Sequence, residues 1–123
     1  MNARRLLIAV LIASASSSLM ATERPDHFKG EAAETLPQAV SNFSEYNEKL
    51  SALVEKDELT AAELHQVHEL TYTLENALGK IQSELAELAE TLEEVHVASE
   101  QSDAETVKTK GSEYLETSRQ IVE

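Results

Sequence analysis

His65, His68 and Glu69 come closer to a chemical site than any other group in the chain. Separated by three and four positions, they share one helical surface, and two imidazoles with a carboxylate form a ligand set for a divalent metal. The order is not the HExxH of metalloproteases. His96 lies four heptads beyond His68, about 42 Å along a straight helix, so the two cannot share a metal within one chain. His65, His68, Glu69 and His96 are therefore the candidate metal ligands. A haem is not expected. Soluble four-helix cytochromes take axial His with Met or His, or a CxxCH attachment. This chain has no Cys, and its two Met residues, Met1 and Met20, both fall in the leader described below.

Other chemistry is sparse. Glu84, Glu87, Glu90, Glu93 and Glu94 place five carboxylates on the outer side of one helix, which reads as a solvated face or as an attraction for Ca²⁺ or a basic protein. Gly30, Gly79 and Gly111 are isolated, so no phosphate-cradling loop is present, and there is no nucleophile elbow. The expectation is a protein that is not an enzyme.

The histidines sit on the stretch around which the chain is organised. From Leu64 to Val95, Leu64, Val67, Thr71, Leu74, Leu78, Ile81, Leu85, Leu88, Leu92 and Val95 follow in steps of three and four. Such a run is one helix with an apolar seam roughly 48 Å long. With 123 residues, 41% hydrophobic, three Gly and two Pro, the chain suits one helical domain.

Arg4 and Arg5 precede the apolar run Leu6 to Ala13, and small residues lead to Leu19-Met20-Ala21, the pattern of a signal peptide over residues 1–21. The run is too short to span a bilayer, for which about 20 apolar residues are needed. A periplasmic or secreted location follows, with no membrane span after cleavage; a retained anchor is the other reading. Cleavage removes two Arg and no acid, so the 10 basic and 23 acidic residues become 8 against 23, a net charge of −15. So acidic a chain is a poor partner for nucleic acid. Without Cys, packing alone must hold the fold.

Residues 22–34 contain Pro25 and Gly30 and show no helical period. They read as an extended or mobile N-terminal arm, whose His27 and Phe28 either dock on the bundle or remain part of a disordered leader. The strings ERPDHFKGE (Glu23 to Glu31), NFSEYN (Asn42 to Asn47) and HELTYTLENAL (His68 to Leu78) resemble a family of small exported proteobacterial proteins classified as a domain of unknown function. The resemblance covers most of the chain beyond the leader. It implies export and an all-helical fold, and brings no catalytic residues.

The predicted fold is all-α: an antiparallel helical bundle over 35–123, with one long central helix flanked by two shorter ones, at about 36–56, 61–99 and 103–122. Thr35 with Gln38, Thr60 with Glu63, and Ser102 with Glu105 are the expected capping boxes. Pro37 falls in a first turn, where its missing N–H costs nothing. Leu36, Val40, Phe43, Asn47, Leu50 and Val54 form the first seam, in which Asn47 either fixes register or lies at the wet edge. Val107, Gly111, Tyr114, Ser118 and Ile121 form the last. Gly79 permits a kink in the long helix but not a reversal.

Folded back, the outer helices cover opposite halves of the long one and meet near its middle. Each half is then two helices deep, which leaves Leu70, Ala77, Ala89 and Ala98 without cover. An antiparallel homodimer through the long helix, centred near Gly79, would supply the missing layer and set His96 level with Glu63 of the partner, within a turn of His65. Two functions follow as expectations. One is an exported interaction or structural module, and the other a periplasmic protein that binds or buffers divalent metal on helix-borne His and Glu.

Overall fold

The computed structural model of the protein describes residues 28–122. The expected signal peptide (1–21), residues 22–27 of the arm with His27, and Glu123 lie outside the described residues. The fold is all-α, with α1 at Leu36–Val54, α2 at Ala61–Glu100 and α3 at Ala104–Ser118. At 40 residues, α2 is about 60 Å long and runs unbroken through Gly79.

Local chemistry explains each end. Thr35 caps α1 by accepting the Gln38 N–H, but the Gln38 side chain returns to the Glu34 N–H at 3.0 Å rather than to Thr35. Thr60 and Glu63 form the full box at the start of α2: the Glu63 N–H donates to the Thr60 hydroxyl, and the Thr60 N–H donates to the Glu63 carboxylate at 2.7 Å. That carboxyl is held at about 2, well below its ordinary 4.5. The Lys56 ammonium is the largest cause, followed by the Thr60 N–H and hydroxyl.

The expected box at Ser102 is corrected. Asp103 caps α3, accepting from the Thr106 N–H at 3.1 Å and hydroxyl at 2.7 Å. Ser102 instead stands at φ 59, in the left-handed region, and ends α2. The Asp103 N–H donates to the Ala98 carbonyl and the Ser102 N–H to the Ser99 carbonyl, the paired bonds of a Schellman termination. A connection this short needs a left-handed residue, so Ser102 cannot also be the cap.

Two hairpins share α2. The turn at 55–60 returns the chain so that α1 packs along the first part of α2, where Leu53, Leu70 and Leu74 form a buried cluster flanked by Phe43, Tyr46, Leu50, Leu59 and Val67. The turn at 101–103 lays α3 back along the last part, tied by an ion pair of 3.2 Å between Lys110 and Glu94. The two short helices do not touch each other, so they do not meet near the middle of α2.

The seams are rotated from their expected lines. On α1 the buried residues are Leu36, Ala39, Asn42 and Leu53, whereas Asn47 is half-buried and Val54 exposed. On α2, Leu70, Ala77 and Ala98, expected to lack cover, are buried together with Thr73, Leu74 and Leu88, while Ala89 is exposed. Leu64, Leu78, Leu85 and Leu92 are exposed. The expected α3 seam does face inward, but each of its residues is only half-buried.

The arm supplies part of the reason for the rotation. Residues 28–34 form no helix or strand but are docked, and the Glu31 N–H donates to the Thr73 hydroxyl at 3.0 Å. The Asn76 amide donates to the Lys29 and Glu31 carbonyls, and the Asn42 amide to the Ala32 carbonyl. Tyr46 donates to the Glu31 carboxylate at 2.9 Å, and the Phe28 ring meets Tyr72 edge to face. Gly30, at φ +67, lies against the backbone of α2, where a Cβ would come 2.6 Å from the Thr73 nitrogen. With the arm on one side and α1 on the other, Thr73 is only 1% exposed. Small and polar residues, rather than the leucines, therefore take the line of closest approach.

Candidate functional site

The rotation splits the expected seam of α2 into two rows, each with a step of seven. Val67, Leu74, Ile81, Leu88 and Val95 are buried or half-buried beneath the short helices. Leu64, Thr71, Leu78, Leu85 and Leu92 form the outer row, with Leu78 at 49% and Leu85 and Leu92 at 46% exposure. A shallow depression of about 330 Å³ lies between Leu78, Ile81, Gln82 and Leu85. Beyond the leucines, on the solvent side, runs a third row of the same step: His68, Glu75, Gln82, Ala89 and His96, all exposed. Only one of the nine Glu residues of α2 is in this third row, and none is in the leucine row.

The candidate metal ligands fall around this edge. The His65 Nε2 is 3.4 Å from a Glu69 carboxylate oxygen, one turn along. His68 packs instead on Tyr72, its ring edge to face at 5.2 Å between centroids and its Nε2 3.5 Å from the Tyr72 hydroxyl. His65 and His68 stand 6.4 Å apart by ring centroids, and the line of rings continues through Tyr72 to Phe28 of the arm. At the far end of α2, the His96 Nε2 is 3.4 Å from Glu100. Among the described residues, no three His, Asp or Glu side chains come together in position to hold a metal. Within one chain, the set proposed from sequence thus divides into a His65–Glu69 pair, a His68 packed on tyrosine, and a remote His96.

The carboxylate row is also divided. Glu84 pairs with Lys80, and Glu94 pairs with Lys110 across to α3. Glu94 therefore helps to hold α3 in place. No helix among the described residues is long and apolar enough to cross a membrane.

Sequence reasoning missed the arm clip of Gly30, Asn42, Thr73 and Asn76. The signal was present: the strings Glu23 to Glu31, Asn42 to Asn47 and His68 to Leu78, far apart in sequence, are the ones whose residues converge at this junction. The chain belongs to the family of unknown function DUF6746. The sequence model of that family matches residues 1–123. No curated relative and no solved structure matches the chain.

Proposed function

We propose that this protein is an exported, non-enzymatic helical module that works through contact along the outer edge of α2, and that the first occupant of that edge is a second copy of the chain. The observation carrying this reading is the exposed leucine row at heptad spacing, the pattern by which helices recognise helices. Export is supported by the leader of Arg4, Arg5 and the run Leu6 to Ala13.

Charge favours a second copy with its helix reversed. Two exported chains, each of net charge −15 once the leader is removed, must meet on a face short of carboxylates, and the leucine edge of α2 is such a face. Centred between Ile81 and Gln82, a reversed pairing puts Leu78 against Leu85 of the partner and Thr71 against Leu92 of the partner. Glu75 then falls within one residue of the level of Ala89 of the partner, whereas a parallel pairing sets Glu75 against Glu75 of the partner. The centre moves from the expected Gly79 because Leu78 and Leu85 flank it evenly. Each half of α2 carries one short helix, so reversal also places α1 of one copy beside α3 of the other, four helices along each half of the pair, with the middle left to the two long helices.

Light scattering over a concentration range tests the reading. The expected result is a dimer at tens of micromolar that Leu85→Glu converts to a helical monomer. A wild-type monomer at that concentration, or a dimer indifferent to Leu85→Glu, overturns it. A basic protein as occupant instead predicts a monomer whose binding of a polylysine probe is weakened by Glu87→Gln and Glu90→Gln.

A further inference from the structure

The leucine row and the histidines each define a centre on α2, and the two centres coincide. Leu78 and Leu85 are evenly disposed about a point between residues 81 and 82, as are Thr71 and Leu92. His68 and His96, exposed members of the third row, are evenly disposed about Gln82. The difference is half a residue, less than about 1 Å of helix.

From this coincidence we propose that the antiparallel dimer binds Zn²⁺ at each of its two ends, between His68 of one copy and His96 of the partner. The inference rests on the dimer proposed above. In a reversed pair, residues on a given flank of one helix lie beside the same flank of the other. His68 then comes within about one residue, roughly 1.5 Å in height, of the partner's His96. Helices in contact lie about 8–10 Å apart, a gap that two imidazoles can bridge to one ion at Zn–N distances of about 2.0–2.1 Å. Second ligands are at hand in His65, one turn before His68, and in Glu100 of the partner, one turn after His96. Two imidazoles with a third nitrogen or a carboxylate leave a position for water in a tetrahedral site. The arrangement accounts for two histidines placed symmetrically at the ends of the edge, which no three-ligand group among the described residues of one chain explains.

Mixing two variants of the full chain decides it, with Zn²⁺ alone as the probe. The wild type is expected to bind one Zn²⁺ per chain. His68→Ala and His96→Ala, both at exposed positions and so expected to keep full helicity, should each weaken binding by roughly tenfold or more. An equimolar mixture, unfolded and refolded together, contains heterodimers with one end lacking both histidines and the other end intact. Tight sites should therefore reappear at about a quarter of the wild-type number, by random pairing of two chains. A mixture with no regained sites overturns the inference, as does Zn²⁺ binding by Leu85→Glu monomers with wild-type affinity. If light scattering shows metal-free wild-type dimers, such a failure belongs to the metal site alone. If the wild type is monomeric with and without Zn²⁺, the dimer fails and the metal site with it.

Discussion

The two halves of α2 are covered by different amounts of chain. Its first half receives α1 and the arm, and there Leu36, Ala39, Leu53, Leu70, Leu74 and Ala77 are buried with Asn42 and Thr73. Among the described residues, its second half receives α3 alone, which contains no buried residue, and only Leu88 and Ala98 are buried beneath it. A helix laid on a helix covers one stripe, while an arm wedged beside it closes a second side and leaves the groove dry. The first hairpin therefore holds the fold together, and the second leaves apolar surface at Leu85, Leu92, Val97 and Leu115.

Core truncation should separate the two halves most. Leu74→Ala removes a side chain at the centre of the buried cluster and should cost about 2–5 kcal/mol in urea unfolding. Leu88→Ala, under thinner cover, should cost less. Equal losses would show that the second half is as well closed as the first.

Gly30→Ala tests the arm. The new Cβ would meet the Thr73 and Tyr72 backbone at a positive φ, so the arm must lift and release its bonds to Thr73 and Asn76. A loss of about 1–3 kcal/mol is expected, with faster amide exchange at Glu31. Unchanged exchange there would mean that the arm contributes nothing to closure.

Ser102→Gly is the counterpart in the second half and should act in the opposite direction. Ser102 bears a side chain at φ 59, so glycine relieves the left-handed turn and should stabilise by roughly 0.5–1 kcal/mol. Amide exchange along α3, expected to be the fastest of the three helices, should slow in this variant.

Acid gives the smallest effect, read as a shift in unfolding midpoint. The Glu63 carboxyl is held at about 2 in the folded chain against its ordinary 4.5, so its contribution is complete above 4.5 and is lost as pH falls towards 2. Hydrogen bonds from Thr106 likewise hold Asp103 below the usual carboxylate range, with the same sign. Thr60→Ala should flatten the acid limb for the first hairpin, and Thr106→Ala for the second. An acid limb unchanged by both would remove the caps from the account.

The helices were legible in the sequence because their signals are local. Thr60-Ala61-Ala62-Glu63 specifies a helix start whatever packs nearby, and the three-four spacing from Leu64 to Val95 specifies one long rod that Gly79 does not interrupt. The candidate ligands were legible only as spacings along that rod. Whether His65, His68 and Glu69 converge depends on rotamers and on Tyr72, and the structure turns His68 towards Tyr72 instead. Similarly, Asn42 and Thr73 read as ordinary surface residues until the arm places a carbonyl beside one and an N–H beside the other.

Three helices, their order and approximate ends, and an apolar stripe on α2 too wide for one neighbour to cover are thus written in the local pattern of residues. Which edge of that stripe lies inside is fixed by packing. Periodicity fixes an angle around the helix axis but not the direction from which a neighbour approaches. That direction was set by contacts between distant segments: the Gly30 backbone against Thr73, the Asn76 amide on the arm, and small residues such as Ala39 and Ala77 that let the backbones close up. Once those contacts bring Leu70 and Ala77 inside, geometry places Leu78, Leu85 and Leu92 outside, because residues about a quarter-turn apart on a helix cannot all face the same neighbour.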